Sequence, residues 1–380
     1  MKAVIAKSDL VNIIGKIQSV VPSKPSSPVL ANVLLEAMDD QWVVSVTDLM
    51  VSMRCYAEAK VIEEGSIALP ARRFFQLVKE LTAPHIKIST SNSEIAEITT
   101  GTSVFKIHGM SKQEFPQLPD LSGSPAFSLP NNVLKEMLVK TVFAAAREDS
   151  RYTINGVHLQ IAQNKATFSA TDGKRLAKIF TPISIDPSIQ TQAIIPIKAV
   201  EEMIRMLDSS SAPVHMSLGS DKIALECGST TLITKLLMGQ YPDIDRVIPK
   251  QLIHQFSIHR EELISLLRQV ALFTSETNNS VRFGFETGQL QLSAMSSEVG
   301  EGRVSMPVDY AGAKLEIAFN PFLLIDILLH SKDETVRFGL TDTHNPGLLT
   351  DTTQALFVIM PMRCHEDPTP QQKETASVLA

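Results

Sequence analysis

An α+β fold made of three tandem copies of one domain is predicted by three spacings in the sequence. A Pro-led amphipathic segment opens at Pro70 (PARRFFQLV), returns at Pro196 (PIKAVEEMI) and again at Pro321 (PFLLIDILL), so the prolines stand 126 and 125 residues apart. Serines inside short alternating runs, Ser45, Ser169 and Ser293, are spaced by 124 and 124. An apolar segment leading into a helix begins near Val4, Phe127 and Phe256. A repeat of this length decides the architecture before any single element does. Three domains of about 125 residues also suit ordinary domain size in a chain of 380.

Each copy reads as two helices separated by strands. Leu10, Ile13, Ile14 and Ile17 recur at helical spacing with Ser8 as N-cap. Val133, Leu134, Met137, Leu138 and Val142 repeat the pattern after Pro130, as do Leu263, Leu266, Leu267 and Val270. The second helix of each copy is expected to start at its proline, whose missing N–H is harmless there and whose φ is already helical. The predicted helices cover 7–24, 70–82, 130–147, 196–208, 259–270 and 320–332. Short runs such as Trp42–Val46, Val214–Leu218 and Val336–Leu340 carry strand alternation with one buried face. Two helices per copy with several short strands imply antiparallel sheets with helices on one side. Pro-containing stretches at 115–125 and 241–250 read as linkers. The domains expected are 1–122, 123–252 and 253–363, followed by a disordered polar tail at 364–380.

The composition, 44% apolar and 20% charged, is that of a soluble globular protein. Lys7 and Asp9 interrupt what a signal peptide would need as an apolar core, and no run approaches the ~18 residues of a membrane span. Cys55, Cys227 and Cys364 are far apart and lack metal-ligand spacing, which reads as reduced thiols in a cytoplasmic protein. The net charge of −6 is unevenly spread. The predicted helices hold 14 Lys and Arg against 9 Asp and Glu, leaving about −11 for everything else. Lys and Arg suit exposed helix faces in any protein; they also suit a wall that faces phosphates.

No catalytic or metal-binding constellation emerges, and no cofactor site. Gly173-Lys174-Arg175 ends like a phosphate loop, but Phe168 stands where its first glycine belongs and Arg175 where Ser or Thr must meet the metal. Asp172 and Asp342 each follow a threonine, a pairing common in turns. What remains is three domains with basic helices and acidic surroundings. Set side by side with helices inward, they would form an arc with a positive inner wall that attracts phosphates without reading bases. Two such arcs would close a ring if the first domain of one met the third of the other.

Four motifs then carry a resemblance: Arg151-Tyr152-Thr153-Ile154-Asn155-Gly156, Thr171-Asp172-Gly173-Lys174-Arg175-Leu176-Ala177, Tyr241-Pro242-Asp243 with Arg246-Val247-Ile248-Pro249-Lys250, and Val358-Ile359-Met360-Pro361-Met362-Arg363. Over residues 1–363 the chain resembles the bacterial sliding clamps, the β subunits of DNA polymerase III. The resemblance implies three DNA-clamp domains per chain, closing as a head-to-tail homodimer into a six-domain ring with twelve helices around the hole. It implies a non-catalytic processivity factor that encircles duplex DNA. Its partners would be the catalytic subunit of the polymerase III holoenzyme, the clamp loader, other polymerases and repair proteins, bound through short peptide motifs.

Carried over residue by residue, the peptide pocket between the second and third domains would comprise Ile154, Thr171, Gly173, Lys174, Arg175, Leu176, Pro242, Val247, Leu323, Val358, Met360 and Pro361. The DNA-facing set would be Lys24, Arg73, Arg147, Arg151, Tyr152, Lys198, Arg205 and Arg246. The subunit joint would pair Phe75, Phe105 and Ile107 with Leu272 and Phe273, with Glu298, Glu301 and Arg303 as rim charges. Three departures from the family pattern are visible. Lys174 stands where His is frequent, Ile197 where a basic residue is common, and Thr102–Lys106 lacks arginines often found at the joint. The last of these suggests an alternative, a scaffold of the same fold that never closes. A second alternative, from another class, is a hydrolase using Asp172 or Asp342.

Overall fold

The computed structural model describes residues 1–91, 94–121, 123–275 and 278–362, so the polar tail lies outside the described residues. Six α-helices occur among them: α1 (Lys7–Ile17), α2 (Ala71–Glu80), α3 (Asn131–Val142), α4 (Ile197–Met206), α5 (Arg260–Ala271) and α6 (Pro321–His330). All six predicted helices are present, five of them shorter than expected and α5 of the expected length but shifted by one residue. α1 stops at Ile17 because Pro22 and Pro25 follow within two turns and cannot continue it. Its N-cap is Ala6 rather than Ser8, since the preceding strand Lys2–Ala6 runs directly into the helix.

The prolines divide into two classes. Pro321 sits inside the first turn of α6, where Asn320 caps it by accepting hydrogen bonds from the N–H groups of Phe322 and Leu323 at 3.0 and 3.3 Å. Pro70 and Pro196 instead occupy the N-cap with ψ of 105° and 143°, as the last residues of strands Gly65–Pro70 and Thr191–Pro196. There they end a strand rather than start a helix. Within each copy the two helices pack together, α1 on α2, α3 on α4 and α5 on α6.

The chain divides into two compact units. The first holds Met1–Asp172 and Lys178–Pro242. It contains a five-stranded antiparallel sheet in the order Lys60–Glu63, Lys2–Ala6, His85–Ser91, Ile95–Thr100, Ser103–His108. It also contains an eight-stranded sheet in the order Ala126–Pro130, Pro213–Leu218, Lys222–Cys227, Thr230–Lys235, Val51–Glu58, Gln41–Thr47, Asn32–Met38, Gly65–Pro70. That sheet welds the first copy to the second, with Ile233 opposite Ser52 and Thr231 opposite Arg54. Thr191–Pro196, Gly156–Ala162 and Lys165–Thr171 pair beside it in a further antiparallel set.

The second unit holds Gly173–Ala177 and the residues from Asp243 onward. Leu356–Ile359, Gly347–Thr350, Thr335–Leu340 and His254–His259 follow one another in one sheet. Gly300–Pro307, Gln289–Ser296, Val281–Glu286 and Leu315–Phe319 make a second, four-stranded one. Its core is aromatic: Phe283 and Phe319 meet edge to face at 5.3 Å, as do Phe256 and Phe338 at 5.8 Å.

The stretches read as linkers are partly core. Phe115 and Leu118 pack on Leu34 and Ala68 in the first unit. Ile244 and Ile248 pack on Leu176, Leu348 and Val358 in the second.

Candidate functional site

In the second unit an apolar cluster, the candidate floor of the predicted pocket, is built from three separate pieces of chain. Leu176, Leu348 and Val358 form its buried floor, with Ile244, Ile248, Leu252 and Leu356 packed against them. Leu176 is only 2% exposed, so it is floor rather than rim. Val247 and Met360, 40% and 37% exposed, offer apolar surface to solvent. The Met360 N–H donates to the Lys174 carbonyl at 2.9 Å, which ties the last strand to the turn before Leu176. Gly173 in that turn has φ of +84°, a conformation glycine adopts without a Cβ penalty. The Arg175 guanidinium is nearly buried and donates to Asp326 Oδ2 on α6 at 2.7 Å. Leu323, one turn earlier on α6, and Pro361 are half-buried.

Of the twelve predicted pocket residues, Gly173, Lys174, Arg175, Leu176, Val247, Leu323, Val358, Met360 and Pro361 belong to the second unit, and Ile154, Thr171 and Pro242 to the first. In the first unit the Thr171 N–H donates to the Tyr241 hydroxyl at 3.1 Å. Tyr241 in turn stacks flat on His158, with ring centroids 4.6 Å apart and planes 4° from parallel. Burial raises the tyrosine's pKa far above its ordinary value and lowers that of His158, so both rings stay neutral around neutral pH. Ile154 is buried, with its carbonyl taken by the Ala146 N–H at 3.0 Å. Sequence reasoning missed Leu348, Ile244, Ile248, Leu252 and Asp326. The spacing of Ile244 and Ile248 in YPDIDRVIPK was a usable signal; Asp326 gave none.

The basic set is exposed, but most of it is already in contact with carboxylates. Arg147 donates to Glu201 at 2.8 Å and Arg246 to Asp243 at 2.8 Å. Lys198 pairs with Asp48 and Arg205 with Glu202. Arg151 grips Asp149 through two nitrogens at 3.0 and 2.9 Å, which depresses the Asp149 carboxyl to about 2. Tyr152, Lys24 and Arg73 are exposed.

Among the described residues Ser103–His108 is one edge strand of its sheet in the first unit, and Gly300–Pro307 is one edge strand of its sheet in the second. Val104 and Phe105 are exposed on one; Phe75 and Ile107 are instead buried in the core behind it. Beside the other, Leu272 is 73% exposed, and Met295 and Val299 are open to solvent. The Phe273 ring packs against Gly302, where an added Cβ would meet it at 2.4 Å. Gly302 is therefore a residue of this edge that sequence reasoning missed. Glu301 pairs with Arg303 at 3.0 Å within the strand, and the Glu298 N–H donates to Ser296 Oγ at 3.3 Å.

Asp342 serves a turn: its carboxylate accepts the N–H groups of His344 and Asn345 at 2.7 and 2.8 Å, which lowers its pKa. Among the described residues no group of three or more His, Cys, Asp or Glu is placed to hold a metal.

Three family models for the DNA polymerase III beta subunit match the chain: the N-terminal domain over residues 1–119, the central domain over 128–243 and the C-terminal domain over 245–363. The chain belongs to the bacterial sliding-clamp family. A beta sliding clamp from Chlamydia muridarum is 52% identical over 97% of this chain and 100% of its own length. That of Escherichia coli K12 is 30% identical over 96% and 100%. A DNA polymerase sliding clamp from Pseudomonas aeruginosa superposes with a TM-score of 0.92 at 30% identity, covering 96% of this chain and 100% of that one. A DNA polymerase III beta subunit from Thermotoga maritima gives 0.87 at 26%, again with 96% and 100% covered. This clamp is a non-catalytic processivity factor of DNA replication, which removes the hydrolase alternative. No described helix is long and apolar enough to cross a membrane.

Proposed function

We propose that two copies of this clamp join head to tail into a closed ring, each contributing domains 1–122, 123–252 and 253–363. The reading rests above all on the two open strand edges. Ser103–His108 of one copy would pair with Gly300–Pro307 of the other, covering Val104, Phe105 and Leu272 and extending both sheets across the joint. Phe273, Glu298, Glu301 and Arg303 border the same edge. The basic set from Lys24 to Arg246 faces duplex DNA and adds a screened, sequence-independent attraction. The groove around Leu176, Val358 and Met360 takes an extended peptide with leucine- or phenylalanine-sized anchors. Its ligands are short motifs of the polymerase III catalytic subunit, the clamp loader, other polymerases and repair proteins, in the cytoplasm.

Ring closure is tested by light scattering and by DNA topology together. Wild-type protein is expected to run as a dimer and, once loaded, to stay on nicked circular DNA but slide off when the circle is linearised. Replacing Leu272 and Phe273 by glutamates should give monomers that are not retained. A wild-type monomer at working concentration would favour the open scaffold instead. A persistent dimer in the double variant would put the joint elsewhere.

A further inference from the structure

The repeat that generates the groove in the second unit builds a counterpart inside the first. Met360 N–H donates to the Lys174 carbonyl at 2.9 Å; one repeat earlier, Lys235 N–H donates to the Met50 carbonyl at 3.0 Å. The turn Thr171–Lys174 likewise has its equivalent in Thr47–Met50. Thr47 Oγ1 accepts the Leu49 N–H at 3.0 Å, and Asp48 Oδ1 accepts those of Met50 and Val51 at 2.9 and 2.7 Å. Where the later turn has Gly173 at φ +84°, the earlier has Leu49 at +75°. A leucine held there is strained, and both Leu49 and Met50 are exposed.

Beyond this turn the strand presents Ser52 and Arg54 on one face, opposite Ile233 and Thr231. Cys55 and Thr230 meet on the other face, where Lys16 of α1 reaches Thr230 at 3.5 Å. The first face is roofed by Leu118 and Leu121 and encloses a cavity of about 310 Å³, at the lower end of the range for ligand clefts. A second cavity adjoins it, and Arg54 lines both. The Arg54 Nε is buried and has no hydrogen-bond partner among the described residues. A buried donor in that condition is costly unless something accepts from it.

We propose that this cavity is a second peptide site, which takes a short extended segment of a partner protein with one leucine-sized side chain over Ser52 and a main-chain carbonyl accepting from Arg54. The flank of that segment is basic. Asp120 and Glu226, both exposed, also line the cavity, so its charged groups sum to negative and repel an acidic flank. The site stands on the first unit alone and does not require the groove around Leu176 to be used.

The test uses the full-length protein labelled at isoleucine δ1 methyls, with Ile233 reporting this cavity and Ile244 and Ile248 the other groove. The probes are blocked peptides of sequence Lys-Leu-Ala-Leu-Lys and Glu-Leu-Ala-Leu-Glu. The basic peptide is expected to shift Ile233 saturably and the acidic one to do so several-fold more weakly. Ser52→Leu, which fills the cavity, should abolish the Ile233 shift and leave Ile244 and Ile248 as in the wild type. Arg54→Met should weaken binding about tenfold, an independent arm if the leucine variant does not fold. No Ile233 shift at millimolar peptide, or equal shifts with both peptides, would overturn the proposal. So would binding that Arg54→Met leaves unchanged.

Discussion

Leu176 and Met360 are both pocket candidates, yet they do different work. Leu176 is sealed beneath Leu348 and Val358, so truncating it would open a core cavity and cost stability as well as affinity. Met360 is partly exposed and separates the two effects. Met360→Ala should weaken binding of a polymerase-derived peptide by about 1–2 kcal/mol with an unchanged urea midpoint; unaltered affinity by calorimetry would remove it from the groove. Asp149 supports a pH prediction. Arg151 holds its carboxyl at about 2, against 3.8 ordinarily. A depressed acid contributes stability above its unfolded pKa and loses that contribution as pH falls through the folded one. The contribution is therefore present above about pH 4 and lost towards pH 2. NMR titration of the Asp149 carboxyl should show a midpoint near 2, and Asp149→Asn should flatten this part of the acid stability curve.

At the scale of elements, strand edges and helix ends carry the findings. Gly302 lies under Phe273, so the open edge of Gly300–Pro307 is shaped by a residue with no side chain. Gly302→Val should lift Phe273 off the strand and raise the dimer dissociation constant by at least tenfold, measured by analytical ultracentrifugation at nanomolar protein; an unchanged constant would dissociate Phe273 from the joint. The helices were legible from apolar spacing because a buried stripe is a one-dimensional signal. Their ends were not. Pro70 and Pro196 close strands, while Pro321 opens a helix, and the difference lies in how long the preceding strand stays paired. Gly156 opposite Pro196 and Asn32 opposite Pro70 record that pairing.

For the whole molecule, the charge pattern matters more than the sum. Most basic residues of the proposed DNA-facing set already contact a carboxylate, which dilutes each positive charge without cancelling it. On the proposed reading such a surface would hold DNA weakly and let it slide. The salt dependence of DNA binding should follow: Arg73→Ala or Lys24→Ala should lower the slope of log K against log salt by up to about 0.9, and Arg205→Ala, next to Glu202, by clearly less. Anisotropy titrations over a salt series would show this, and equal slopes for all three would mean that the ion pairs break on binding.

By itself the sequence determined the repeat, the helix-and-sheet class and the family. Period, alternation and motif are properties of neighbours along the chain. Only the tertiary structure decided that Arg175 is held by Asp326, that the supposed linkers pack Phe115, Ile244 and Ile248 onto the cores, and that the side chains of Phe75 and Ile107 are buried. It also decided that Phe273 rests on Gly302 and that Arg54 opens onto a cavity. Those facts depend on which distant segments meet, and pairing across 29 residues (Phe273 and Gly302) or 177 (Arg54 and Thr231) leaves no local pattern to read.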